Sequence, residues 1–122
     1  MNATIKKLWL AALRSDEFEQ GQGVMDSGNK LCCLGVLVRI ACDQGVVKRT
    51  DDSLYVNKRF RGYGYGEAQS TYELPLEVVN WAGLSSPDPI VIGGSLGVHN
   101  DDGASFKKIA DIIELEIGRA HV

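Results

Sequence analysis

The chain has 122 residues, 44% of them hydrophobic and 24% charged, with 13 Lys plus Arg against 16 Asp plus Glu and a formal net charge of -3. This composition excludes intrinsic disorder and fits a single globular domain around one core. No apolar run approaches the roughly 20 residues of a membrane-spanning helix. The acidic balance argues against coating duplex DNA through a general basic surface, although it leaves room for a local basic site.

Met1 to Leu10 carries Lys6 and Lys7 and lacks the apolar core and small-residue cleavage site of a secretory signal, so a cytoplasmic protein is expected. Three cysteines, Cys32, Cys33 and Cys42, form an odd set with no disulfide framework implied, and their spacing does not suit zinc. With only His99 and His121 to add, neither a metal nor another cofactor is expected.

Ile5, Leu8, Trp9, Ala12 and Leu13 recur at helical spacing and predict a first helix over 4–14. Phe18 to Val24 reads as an irregular strand weakened by glycines, and Asp26-Ser27-Gly28-Asn29 as a tight turn. Leu34, Leu37, Val38 and Ala41 predict a second helix over 33–44, stopped at Gly45. Gly35 in its first turn costs about 1 kcal/mol against alanine and signals a close neighbour. Val46 to Phe60 suggests a short hairpin, and Arg61-Gly62-Tyr63-Gly64-Tyr65-Gly66 a mobile loop.

Pro75 opens a short third helix over 75–82 that Gly83 closes. Ile90-Val91-Ile92 is a short strand and Gly93-Gly94 a turn. Phe106, Ile109, Ala110, Ile113 and Ile117 mark a final helix over 103–117, with Asn100, Asp101, Asp102 or Ser105 able to cap it. The expected fold is therefore one α+β domain spanning 1–122, about four helices packed on a small, mainly antiparallel sheet.

Two constellations could carry chemistry. Gln20-Gly21 and Cys32-Cys33 at a helix start match the residue types of a papain-like hydrolase: a thiol favoured as thiolate by the helix N-terminus and a glutamine donating to an oxyanion. His99 would serve as base, with Asn100 to orient it. The alternative is that the cysteines are small buried hydrophobes, as free cysteines commonly are.

The second constellation is basic and aromatic. Lys48, Arg49, Lys58, Arg59 and Arg61 fall within fourteen residues, opposed by Asp51 and Asp52, and Phe60, Tyr63 and Tyr65 alternate with glycines beyond. Arginine forks bind phosphate and tyrosine faces stack on bases. The expected ligand contacts are Lys58, Arg59 and Arg61 to phosphate, Tyr63 and Tyr65 to a planar group, and Asn100 and Asp101 to a polar edge. The glycine spacing is not a dinucleotide fingerprint, because the strand-then-helix context is missing.

The residues Phe18-Glu19-Gln20-Gly21, Cys32-Cys33-Leu34-Gly35-Val36-Leu37, Trp81-Ala82-Gly83-Leu84 and Asn100-Asp101-Asp102-Gly103 with Ser105-Phe106 run almost the length of the chain. In this pattern the chain resembles a widespread group of small proteins encoded by bacteriophages and prophages. The resemblance implies a phage accessory protein acting in the host cytoplasm. Together with the basic aromatic stretch it leads to the expectation of a protein that sequesters a small phosphorylated ligand, such as a nucleotide immune messenger, to counter host defence. The competing expectation is a protein-binding inhibitor of a host defence complex, using an acidic or apolar face. Neither requires turnover, and a homo-oligomer with shared sites is compatible with stoichiometric binding.

Overall fold

The computed structural model describes residues 1–118, so His121 lies outside the described residues. Helix α1, Ala3–Arg14, begins where the Asn2 carboxamide oxygen accepts from the Ile5 amide at 3.0 Å. It buries Ile5, Trp9, Leu10 and Leu13, the stripe legible in the sequence. Helix α2, Cys33–Asp43, is the centre of the core. Cys33 to Val38 and Ala41 are all buried, which leaves little of this helix for solvent. The Trp9 indole N–H donates to the Cys33 carbonyl at 3.0 Å and fixes α1 across the start of α2.

Strands β1, Leu54–Tyr55, and β2, Arg61–Gly62, form an antiparallel hairpin with Tyr55 opposite Arg61. Helix α3, Leu76–Ala82, has Pro75 as its N-cap and Gly83 in the left-handed conformation at its end. A second hairpin pairs β3, Ile90–Val91, with β4, Gly94–Ser95. The strands thus make two separate two-stranded sheets, each too small to form a layer of its own, and the core is built from helices. The fold is α+β, as the sequence predicts.

The expected helix over 103–117 is present as one helix, and a short helix that the sequence does not announce precedes it. The short α4, Leu96–Asp101, is capped by the Ser95 hydroxyl accepting from Val98 N. Helix α5, Phe106–Glu116, is capped by Ser105 accepting from Lys108 N. Asn100 and Asp101 therefore lie inside α4 and do not cap the final helix. Helices α1 and α5 pack side by side, with Arg14 reaching both Asp111 and Glu114 at 2.8 Å. These exposed pairs are screened by solvent and contribute little; the buried stripes hold the helices together.

The glycine-rich stretch after Arg61 is not a loose loop. Gly62, Gly64 and Tyr65 are buried. At Gly64 a side chain would meet the Gln69 carbonyl oxygen at 2.9 Å, so glycine there lets two backbone segments close on each other.

Candidate functional site

The first constellation does meet in space. Asn100, fully buried, accepts at Oδ1 from Gln20 Nε2 at 2.9 Å and from the Cys33 amide at 3.1 Å. Its Nδ2 donates to the Gly21 carbonyl at 2.8 Å and to Asp101 Oδ1 at 3.3 Å. Asp101 also accepts from Gly23 N at 3.1 Å. The segment from Gln20 to Gly23 is thereby tied to the start of α2 and to α4. Beside this knot an open polar cleft of about 260 Å³ is lined by Gln20, Gly21, Gln22, Lys30 and Gly103.

The knot is scaffold in its chemistry. A glutamine amide has two N–H groups. Both of those on Gln20 are taken, by Asn100 Oδ1 and by the Ala104 carbonyl at 2.8 Å, so neither is free for an oxyanion. The Cys33 amide at the helix start is likewise occupied. Burial pushes the Cys32 thiol up to about 11, against weaker help for the thiolate from the Gly35 and Leu34 amides, and burial raises Cys33 in the same sense. The Cys33 sulfur donates to the Leu96 carbonyl, while the His99 ring Nε2 lies 2.8 Å from the Ile92 carbonyl at the β3–β4 turn. Gln20, Cys33 and Asn100 are brought together, and the Cys–His pair a hydrolase needs is not.

These thiols give a pH dependence of known sign. A thiol whose folded pKa exceeds its unfolded value of 9.0 stabilises the fold below pH 9, and that contribution is lost as pH rises through about 11. For Cys32 alone this is about 2–3 kcal/mol. The Tyr65 hydroxyl, raised by burial and by its bond to Asp26, adds in the same direction above pH 10. The urea midpoint is expected to fall steeply between about pH 9 and 11, and less steeply in Cys32→Ala. A midpoint flat across that range would contradict the buried, protonated thiols.

The second constellation is divided by the structure. Tyr65 is fully buried, and its hydroxyl donates to Asp26 Oδ2 in a short hydrogen bond. It has no face for a ligand, which corrects the sequence expectation: the glycines on either side let its ring sink into the core. Asp26, also fully buried, accepts from Gly28 N at 2.8 Å and faces Arg49 at 3.5 Å and Arg39 at 4.0 Å. The Tyr65 hydroxyl, the Gly28 amide and the two arginines thus surround a carboxylate that has no access to solvent. Arg49 spans from Asp26 to the Tyr63 ring, 4.2 Å from its centroid, so Tyr63 is already stacked from within.

Asn100, buried in the knot, is likewise not available to read a ligand edge. Asp101 is exposed but committed at one oxygen. Arg61 donates from Nε and Nη2 to the Ser53 hydroxyl and carbonyl at 3.0 and 2.7 Å and lies 4.5 Å over the Tyr55 ring. Lys58 and Arg59, in the turn between β1 and β2, are exposed and in no ion pair among the described residues.

Sequence reasoning missed two rings on this hairpin face. Tyr55 is 77% exposed, and Tyr72 is 52% exposed with its hydroxyl accepting from Asn57 Nδ2 at 3.3 Å. Tyr55 alternates with the β2 arginine across the strand pair, a cross-strand signal that only the hairpin register makes readable. Tyr72 comes from a separate segment and carries no local signal. Among the described residues, no group of three or more His, Cys, Asp or Glu is placed to hold a metal ion.

Fold and site together define a small helical α+β protein in which the glutamine, cysteine and asparagine motifs build the core's polar seam, while Lys58 and Arg59 stand exposed on the β1–β2 hairpin. The chain belongs to the family described as Domain of unknown function (DUF8296), whose model matches residues 1–117. No curated protein and no solved structure matches it.

Proposed function

We propose that this protein captures a phosphate-bearing ligand on the β1–β2 hairpin and releases it unchanged. The observation that carries this reading is the pair of exposed cations, Lys58 and Arg59, in no ion pair among the described residues, at the turn of the hairpin that carries exposed Tyr55 and is bonded through Asn57 to exposed Tyr72. Free cations supply phosphate attraction and aromatic faces supply stacking, whereas the Cys32 and Cys33 thiols are buried and held protonated. In the phage setting that the sequence pattern implies, such capture serves to withdraw a host nucleotide messenger.

Native mass spectrometry after incubation with a bacterial nucleotide extract tests the reading. The protein is expected to carry a phosphorylated species that is lost in Lys58→Ala/Arg59→Ala and weakened by salt. Arg61 is the poorer test position because it also braces Ser53 and Tyr55. Wild-type protein recovered empty from every extract would overturn the proposal.

A second reading has its own observation. Leu8, Ala11, Ala12, Phe18 and Ile40 line an open, largely apolar groove of about 430 Å³ between α1 and α2, rimmed by Glu17 and Asp43. Such a surface suits an amphipathic helix of a protein partner. Under that reading an empty protein captures a host polypeptide, and Leu8→Glu abolishes the capture.

A further inference from the structure

On the reading that the hairpin binds a phosphate-bearing ligand, the chemistry of the face narrows the ligand's class. We infer that the β1–β2 hairpin is a platform for single-stranded nucleic acid, on which several bases stack along the rings while the phosphates follow the turn cations. Three observations point this way.

The first is the number of faces. Tyr55 is 77% and Tyr72 52% exposed, whereas a mononucleotide has one base to stack. The Arg61 guanidinium, 4.5 Å from the Tyr55 centroid, fixes that ring in place, and the Asn57 bond to the Tyr72 hydroxyl ties the second ring to the same hairpin. Rings held in this way lose little freedom when a base stacks on them.

The second is charge. Residues 53–66 contain Lys58, Arg59 and Arg61 and no Asp or Glu, with Asp51 and Asp52 bordering the stretch on one side and Glu67 on the other. The protein's local potential is thus opposite to its net charge of -3. A polyanion gains from successive cations in a way that one phosphate group does not.

The third is shape. The turn side chains of Lys58 and Arg59 stand exposed to solvent. An extended strand reaches affinity by adding contacts along an open surface, with little dependence on sequence because every base has a π-face.

Fluorescence anisotropy of labelled oligothymidylates of three, six and twelve nucleotides tests the inference, with thymidine monophosphate and inorganic polyphosphate as competitors. Affinity is expected to rise with strand length and then level off. With Lys58 and Arg59 engaged, the logarithm of the affinity should fall with the logarithm of salt at a slope of about -1.4. Tyr55→Leu and Tyr72→Leu are each expected to weaken the twelve-nucleotide strand at least about fivefold while leaving polyphosphate binding unchanged. Both residues are exposed, and circular dichroism verifies that the fold is kept.

Polyphosphate or thymidine monophosphate competing as well as the strand, or tyrosine variants that bind it like wild type, would overturn the inference and leave phosphate capture standing. A duplex of equal length bound as tightly would also overturn it. Failure of every probe to bind, polyphosphate included, would overturn both the inference and the phosphate-capture reading beneath it.

Discussion

Gly35→Ala is expected to destabilise the protein by more than about 3 kcal/mol, enough to leave much of a small domain unfolded. Alanine at a helical position ordinarily gains about 1 kcal/mol over glycine. Here the sign reverses, because an added Cβ would fall 1.9 Å from the Met25 carbonyl oxygen and 2.8 Å from its carbon. The obstacle is backbone that cannot swing aside: Met25 O also accepts from the Cys32 amide at 3.1 Å, and Met25 is itself fully buried. Either α2 moves off the Met25 segment, opening the centre of the core, or that segment gives up its place between α2 and the hairpin. Chemical denaturation of the purified variant checks the size of the effect. A stability within about 1 kcal/mol of wild type would show that α2 is not seated as described.

Asn100→Ala is expected to cost about 3–5 kcal/mol. The substitution strips one acceptor from two donors, Gln20 Nε2 and Cys33 N, and one donor from the Gly21 carbonyl. Each group left buried without a partner costs about 1–3 kcal/mol, and the losses overlap because the three share one site. Asn100→Asp is not expected to rescue the fold, since it turns a donor facing the Gly21 carbonyl into a carboxylate oxygen and buries a charge. Hydrogen exchange distinguishes this from general weakening: protection should fall first at Cys33 and the 20–23 segment. An Asn100→Ala protein of near wild-type stability would mean that the knot is not structural.

The difference between these two positions shows what the sequence could convey. Gly35 was conspicuous as a glycine inside an apolar helical stripe, and a close neighbour was the natural inference; that the neighbour is the Met25 carbonyl was not, because the contact comes from a different turn of chain. Helices α1, α2 and α5 were legible because their buried residues repeat with helical period. Helix α4 was not, because Leu96-Gly97-Val98-His99-Asn100-Asp101 combines a glycine with turn-forming residues and is held as a helix by the Ser95 cap and the burial of Leu96 and Asn100.

For the site, residue types were visible and roles were not. Gln20, Cys33 and Asn100 were correctly grouped, yet their bonds cross 80 and 67 residues of sequence, and only the geometry shows that every donor is spent on the scaffold. Tyr65 looked like Tyr63 in sequence. One is sunk onto buried Asp26 and the other is covered by Arg49, a division set by tertiary burial that local pattern cannot encode.

The central claim is that the hairpin captures a phosphate-bearing ligand while the cysteine–glutamine–asparagine seam only supports it. The most direct measurement is chromatography of the ligand released by denaturing the recovered complex, comparing wild type, Cys33→Ala and Lys58→Ala/Arg59→Ala after prolonged incubation. The same unaltered ligand is expected from wild type and Cys33→Ala, close to one per chain, and almost none from the double variant. A chemically altered ligand from wild type that returns intact from Cys33→Ala would contradict it and place catalysis at the thiol.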